Sequence, residues 1–523
     1  MAQNITLLGA SYSDVPAVTL PKTGGGTATF DDTTDANATA SDILSGKTAY
    51  VNGVKITGTG SGGGGGGTVT PKQINFIDYD GTLVASHTKA EINAMTSDSE
   101  LPANPSHTGL TAQGWNWTVA QLKAQLTAMP DAPIWVGQMY VTTSGATEID
   151  ITLTEPALSP YLTVSPNGSV SIDWGDNTTP TTVSGTSLTS YKRTKHDYST
   201  EGDYTIKVSL VSGSYSFTTA YTYPLLNANS GVLDVNLRYS SCVTAIRLGA
   251  NVTLGAQCFR SLFNLKTVTM PSSTIITGSN YAFYNCYNLQ ALIIPPGVTN
   301  APDSFAGYLA TCGYVSLPSS ITSIEQNFFS SGKCLHYILL HNGLTSIGNN
   351  VLSSCALRDV YIPNTLTSVG TSVFSNCLIE EISFSNLTTI PASICSTIYT
   401  LKSVQLSNNI TSIGNSAFYN CYSLKNINIP TSLQSIGSSA FQSCNGLVKL
   451  TFPSTLTSIG NSAFATCRGM MEYHFQSTTP PTLGTTVFNN ISSDCKIYVP
   501  SAKLSDYQTA SGWSAYASYM VGE

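Results

Sequence analysis

Charge is scarce in this chain. Only 10% of its 523 residues are Asp, Glu, Lys or Arg, and the formal net charge is −7. No basic run occurs, so nucleic acid and anionic lipid are not expected partners. Long apolar runs are missing too. No stretch approaches the ~20 apolar residues that a membrane span needs, so no membrane insertion is expected. The start, MAQNITLLGASYSDVPAV, has neither a basic region nor a long apolar segment. No signal peptide is therefore expected, and the protein is expected to be made in the cytoplasm. There is no CxxC and no HExxH, which leaves zinc without a ligand set. The six histidines, His87, His107, His196, His336, His341 and His474, are scattered. No Ser/His/Asp set and no carboxylate pair can be argued. The expectation is no catalytic site, no metal and no cofactor.

What is abundant is repetition. Windows beginning at Ile410, Leu433 and Leu456 read ITSIGNSAFYNC, LQSIGSSAFQSC and LTSIGNSAFATC, and Cys421, Cys444 and Cys467 recur every 23 residues. All 12 cysteines lie between Cys242 and Cys495. A fixed period of this length marks a solenoid, whose stacked repeats bury one core and offer one long binding surface. The cysteines mostly follow Phe or Leu by three residues, as in Phe283/Cys286 and Phe418/Cys421. Stacking would align them as a buried column of reduced thiols, since free Cys behaves as a small hydrophobe. The repeat from Phe/Leu to Cys departs at Ala392, which takes the Phe slot before Cys395. Each repeat pairs a strand such as Leu424–Pro430 with a turn and a short helical piece such as Ser438–Cys444.

The expected architecture is multidomain and mainly β with short helices. Residues 1–57 form a small β module, with a short helix at Thr39–Leu44 and a hairpin across Asn52-Gly53. Residues 58–70 are a Gly-rich flexible linker with an expected span of roughly 15–20 Å. Residues 71–140 form a small mixed α/β module with a strand at Ile74–Tyr79 and a helix at Thr118–Met129. In that helix Val119, Leu122 and Leu126 share a face. Residues 141–228 alternate apolar and polar side chains as a β-sandwich does. The solenoid fills 229–475. Residues 476–523 form a C-terminal cap, where Trp513, Tyr516 and Tyr519 suit a closing amphipathic helix.

Three short matches to known chemistry fail on context. Phe76-Ile77-Asp78-Tyr79-Asp80-Gly81-Thr82 resembles the first motif of haloacid-dehalogenase phosphatases, where the first Asp is the nucleophile. That fold also needs a doubly wound sheet and a downstream acidic pair, and neither is expected here. Leu20-Pro21-Lys22-Thr23-Gly24 matches a sortase signal at the wrong end of the chain. Ser45-Gly46-Lys47-Thr48 lacks the earlier glycine of a phosphate loop.

Longer resemblances are more informative. The repeats, LTSIGNSAFxxC followed by LKxIxIP, resemble the BspA-like (treponemal-type) leucine-rich repeats of bacterial and phage surface adhesins. The ending IYVP…Y…GW…Y resembles that family's last cap. Ile172-Asp173-Trp174-Gly175-Asp176, His196-Asp197-Tyr198 and Gly202-Asp203-Tyr204 resemble the PKD pattern, an Ig-like spacer, with Asn177 where that family often has Gly. LLGASYSDVPAVTLPKTGGGTATF and the ATASDILSGKTAYVNGVKITGT hairpin resemble N-terminal modules of structural proteins in phages of Gram-positive bacteria. INFIDYDGTLV with LPANPSHTGLTAQGWNW resembles a segment of the same proteins.

These resemblances imply a non-enzymatic virion fibre or receptor-binding protein on the virion surface. Its N-terminal module would dock to tail, baseplate or capsid proteins, and its repeats would bind a host surface glycan or protein. A homo-oligomer is possible in such a fibre. The alternatives are a capsid head-fibre or decoration protein with accessory adhesion, and a bacterial surface adhesin. Outward strand positions Tyr314, His336, Tyr337, Arg358, Asp359 and Tyr361 gather aromatic and charged groups and are the expected receptor-binding residues. Arg358, Glu380 and Lys402 share one column and could instead form a stabilising charge ladder.

Overall fold

The computed structural model describes backbone strands within residues 3–57, and residues 74–523 apart from 155–157, 221–222, 229, 231–232, 278–280 and the side chains of 233–236. The chain divides into two compact units, residues 1–70 and 71–523. In the first unit Gln3–Leu7 pairs antiparallel with Ala10–Val15, and Ala17–Pro21 with Thr27–Asp31. Thr48–Val51 pairs with Val54–Thr57, the pairing expected of the Asn52-Gly53 hairpin. The expected Thr39–Leu44 helix and the glycine linker lie outside the described residues.

The second unit opens with a four-stranded mixed sheet. Ile74–Ile77 lies between Leu83–His87, antiparallel to it, and Ile134–Thr142, parallel to it; Leu110–Trp115 forms the far edge. The helix spans Val119–Ala128. Thr118 caps it, accepting the Gln121 N–H, while the Gln121 side chain accepts the Thr118 N–H. This reciprocal pair satisfies two of the free donors at a helix start. Leu122 and Leu126 on its inner face are buried against Ile74, Phe76 and Ile134.

Residues 147–217 build a larger antiparallel sheet in the order 181–186, 161–173, 202–217, 147–153. The long strand Tyr161–Asp173 also belongs to a second, short sheet, where its first residues pair with Lys192–Lys195 and Leu226–Asn227. The larger sheet does not end there. Thr147–Leu153 pairs with Val243–Arg247, which pairs in parallel with Thr267–Thr269. Gly202–Phe217 pairs in parallel with Val252–Leu254, which pairs with Ile275–Ile276. Both strand ladders of the solenoid therefore start on this sheet. One hydrophobic core runs from Ile149 to Met520. The region expected as a separate sandwich is the seal on the open N-terminal face of the solenoid, which a stack of repeats requires.

Each repeat contributes two short parallel strands. One ladder runs through Ser-Ile steps, with Ser412, Ser435 and Ser458 in register. The other carries the LKxIxIP strands, with Glu381, Ser403 and Asn426 in register. Between them lies an arc that is not the short helix expected. In each of eleven arcs two non-glycine residues four apart have positive φ, such as Ser416 (54°) and Asn420 (57°), Ser439 (54°) and Ser443 (64°). Alternating handedness turns the peptide groups along the solenoid axis. Phe418 N–H then donates to Ala440 O at 2.8 Å, and Phe441 N–H to Ala463 O at 2.8 Å. A left-handed residue costs about 1–2 kcal/mol, least for Asn and its like. Bonds between arcs and the stacked rings offset this: Phe418, Phe441 and Phe464 stand 5.4 and 5.3 Å apart.

These arcs redefine the cysteine column. Counting from the positive-φ residues, the slot of Cys421 is filled by Cys286, Cys355, Cys377, Cys444 and Cys467, and elsewhere by residues such as Leu262, Leu309, Gly332, Ile398 and Ile491. Cys395 sits in the Phe slot, so Ala392 is not the substitution expected there. The six in-slot thiols each donate to the Phe-slot carbonyl one turn back: Cys421 to Cys395 O at 3.1 Å, Cys444 to Phe418 O at 3.1 Å, Cys467 to Phe441 O at 3.0 Å. Cys286, Cys355 and Cys377 do the same. Ten of the 12 cysteines are buried, and Cys242 and Cys334 are half-buried. Burial pushes the Cys421 thiol up to about 12, which keeps it protonated as a donor.

The C-terminal end is closed by Leu504–Thr509, a short 3-10 segment at Ser514–Tyr519, and a last strand, Met520–Gly522, parallel to Ile497–Val499. The expected closing helix is thus split, and its final residues extend the ladder. Trp513 is fully buried and donates Nε1–H to Pro481 O at 2.7 Å.

Candidate functional site

The LKxIxIP ladder presents alternate side chains outward. Its first rungs do not face solvent, because the α/β module of residues 74–142 packs onto them. Asn116, buried on that module, donates Nδ2–H to Ile294 O (3.1 Å) and Ser316 Oγ (2.9 Å), and accepts Gly137 N–H at 2.9 Å. Ser316 Oγ donates to Trp135 O at 2.7 Å. Trp117 Nε1–H donates to Leu317 O at 2.8 Å, and Asn342 N–H to Gln125 Oε1 at 2.8 Å. Gly137 permits the contact: a Cβ there would stand 2.5 Å from Cγ1 and Cγ2 of Ile293.

The six expected receptor-binding residues divide accordingly. Tyr314 is half-buried with its ring 4.6 Å from that of Trp135. Tyr337 is half-buried, and its hydroxyl donates to Pro133 O at 2.7 Å. Burial pushes that hydroxyl's pKa well up. Tyr361 packs on the module's core, 6.3 Å from the Tyr337 ring. These three tyrosines are used internally, which corrects the reading of them as an open receptor surface. His336, Arg358 and Asp359 remain exposed. The signal for docking was available in Gly137: a glycine inside a strand marks close approach of another surface.

Beyond the module the ladder is open. Ser383, Gln405 and Thr451 occupy one exposed outward column. Lys402 pairs with Glu380, and Lys449 with Glu472 at 2.9 Å; both pairs are exposed and screened by water, so they contribute little to stability. Where the module ends, a cleft of about 250 Å³ separates it from the open rungs, lined by Met129, Asp131, Tyr361, Ile362, Ser383 and Ser385 among others.

The phosphatase-like motif is placed differently from a catalytic one. Asp78 is buried and accepts Tyr79 N–H at 2.8 Å, with His107 Nε2 at 2.6 Å from its Oδ2. Asp80 accepts Thr82 N–H within the turn. The strand preceding Asp78 belongs to a mixed four-stranded sheet, not a doubly wound one. The PKD-like residues do meet. Trp174 is fully buried and stacks on His196 at 4.6 Å and 7°, and Tyr198 hydroxyl donates to Trp174 O at 2.9 Å. His196 Nε2 lies 2.7 Å from Asp176 Oδ2. Burial raises the Asp176 carboxyl, but hydrogen bonds from Thr178 and His196 outweigh it and hold the pKa below the ordinary value. The cluster is closed and serves packing. Among the described residues no group of three or more His, Cys, Asp or Glu could hold a metal ion, and no helix is long and apolar enough to cross a membrane.

The two parallel ladders and the stacked arcs define a leucine-rich-repeat β-solenoid. Its repeats are of the BspA type: that family's profile matches residues 252–380 and 369–496. A leucine-rich repeat protein from Bacteroides ovatus is 23% identical over 51% of this chain and 81% of its own, with a TM-score of 0.38. A leucine rich cell surface protein from Faecalibacterium prausnitzii is 22% identical over 42% of this chain and 62% of its own, with a TM-score of 0.30. The pneumococcal vaccine antigen PcpA is 13% identical over 52% of this chain and 77% of its own, with a TM-score of 0.31. No curated protein matches.

Proposed function

We propose that this chain is a non-enzymatic adhesin, a virion fibre or receptor-binding protein that holds a host surface glycan or protein on its repeats. The observation that carries the reading is the open part of the LKxIxIP ladder. From Glu381 to Lys496 a rigid, sealed solenoid holds a continuous row of hydroxyl, amide and paired charged side chains in the parallel register of its strands. Such a row suits an extended, polar, weakly charged partner such as a glycan, and binding there requires no reordering of the scaffold. The Asp78 carboxylate is engaged by Tyr79 and His107, which supports reading the DxDGT segment as structural.

Attachment to the particle is assigned to residues 1–57, on their resemblance to phage structural modules, with the PKD-like region as the bridge into the repeats. Immunogold labelling of particles from the source culture tests this. Gold on a tail or baseplate supports a fibre; gold on the capsid supports a head fibre or decoration protein; gold confined to bacterial envelopes overturns the virion assignment in favour of a surface adhesin.

A further inference from the structure

The turn that follows the module's helix forms one wall of the cleft beside the open rungs. Pro130 lacks the N–H that another helical turn would need. Ala132 N–H instead donates to Met129 O at 3.3 Å, which leaves Asp131 exposed in a tight turn. Two bonds to the solenoid bracket that turn: Asn342 N–H to Gln125 Oε1 at 2.8 Å before it, and the Tyr337 hydroxyl to Pro133 O at 2.7 Å after it. The wall is therefore preformed, and a ligand need not order it. The opposite wall comes from two successive turns of the solenoid, with Tyr361 and Ile362 on one, Ser383 and Ser385 on the next. The lining has two characters. Met129, Ile362 and the Tyr361 ring are apolar, while Asp131, Ser383 and Ser385 are polar. Ser385 Oγ donates to Asn364 Oδ1 at 2.6 Å, so it meets an occupant as an acceptor. A carboxylate also only accepts, and its roughly four lone-pair sites exceed what one neighbour takes up. The volume of about 250 Å³ lies below the roughly 300–1,000 Å³ of sites for drug-sized ligands, and suits a single ring.

We propose that this cleft binds one uncharged pyranose ring, the terminal residue of a glycan held on the open rungs. The site rests on the glycan reading of those rungs and makes the docked module their end-stop, so that a chain end is recognised. Ser383 joins the two: it lines the cleft and starts the open outward column that Gln405 continues. A pyranose has an apolar C–H face and a rim of hydroxyls. The C–H face lies on Tyr361, Ile362 and Met129, and the hydroxyls donate to Asp131 and Ser385. These acceptors set the specificity. An anionic sugar would bring its charge against Asp131, and none of the residues lining the cleft is cationic. Like charges so placed reject the wrong ligand as effectively as good contacts select the right one.

The test is saturation-transfer NMR of the full chain with millimolar methyl glycosides of glucose, galactose, mannose, rhamnose and N-acetylglucosamine, and with glucuronate. At least one neutral glycoside should be saturated, chiefly at the C–H protons of one ring face, and glucuronate should not. Asp131→Ala should weaken that binding about ten-fold or more, and Ser385→Phe, which fills the cleft from an exposed position, should abolish it. No saturation of any neutral glycoside, preference for glucuronate, or binding indifferent to both variants overturns the proposal. Gln405→Arg, outside the cleft, separates this site from the rungs. Cell binding lost in Gln405→Arg, with no glycoside bound, removes the cleft and keeps the ladder. Glycoside binding lost in Asp131→Ala, with cell binding unmoved by Gln405→Arg, keeps the cleft and removes the ladder.

Discussion

The Asn116→Ala substitution examines the docked interface most severely. Asn116 is 2% exposed, and its amide joins three backbone or side-chain groups from both sides of the seam. Truncation leaves the Gly137 N–H and the Ile294 carbonyl without that partner in a place water does not reach. Each such group costs about 1–3 kcal/mol, so docking should weaken by about 2–5 kcal/mol. The chain is too large for one two-state transition, so bulk melting is a poor readout. Hydrogen exchange of residues 134–138 reports the local opening directly, and should accelerate about 30-fold or more at neutral pH. Ser316→Ala removes the donor to Trp135 O and should cost less. The double variant should resemble Asn116→Ala, because the two side chains share a bond. Acceleration below about five-fold in Asn116→Ala, with strict additivity, would refute the view that this amide holds the module down.

Thiol labelling of the native protein should modify only the half-buried Cys242 and Cys334, while denatured, unreduced protein should yield twelve free thiols; native disulfide-linked peptides in mass spectra would contradict the thiol-donor arrangement. Cys444→Ala removes the thiol and its bond to Phe418 O and should ease local opening of the neighbouring arcs, and Cys444→Val restores apolar bulk, slightly more than the thiol's, without the bond; full recovery in the Val variant would mean the thiol acts by bulk alone. Gly437→Ala places a Cβ 2.6 Å from the Asn415 backbone nitrogen, so the Ser-Ile ladder must separate locally, and hydrogen exchange of residues 412–415 and 435–438 should accelerate; unchanged exchange there would contradict the close approach. Magnesium-dependent phosphoester turnover should be absent; turnover lost in Asp78→Asn would reverse the structural reading of that carboxylate.

The repeat was legible because its core residues recur in register: Phe418, Phe441 and Phe464 stack at the spacing of the turns they belong to. The helix at 119–128 was legible because Thr118 and Gln121 are a local cap and its apolar spacing is helical. What was not legible depends on contacts across long stretches of chain. Asn116 meets Ser316 two hundred residues away, and no local pattern encodes that pairing. The same holds for the continuous sheet from Thr147–Leu153 into Val243–Arg247, which turned an expected spacer into an N-terminal seal. The arcs were misread as helical because Ser and Asn at positive φ leave no apolar signature, and the cysteine register drifted wherever Leu, Ile or Gly took the slot. Tyr337 and Tyr361 were found as an aromatic cluster on an outward face, but outward from the solenoid was not outward to solvent.

The open rungs of the LKxIxIP ladder are proposed to hold the partner. Binding of purified, fluorescently labelled protein to cells of the host strain at neutral pH distinguishes two variants. Ser383→Arg with Gln405→Arg puts bulky charge on two exposed adjacent rungs without touching the core. Tyr337→Phe removes only the hydroxyl that bonds to Pro133 under the module. Binding should fall at least ten-fold in the double arginine variant and stay within two-fold of wild type in Tyr337→Phe. Unchanged binding in the double arginine variant, with both proteins folded, would place the partner elsewhere than on these rungs.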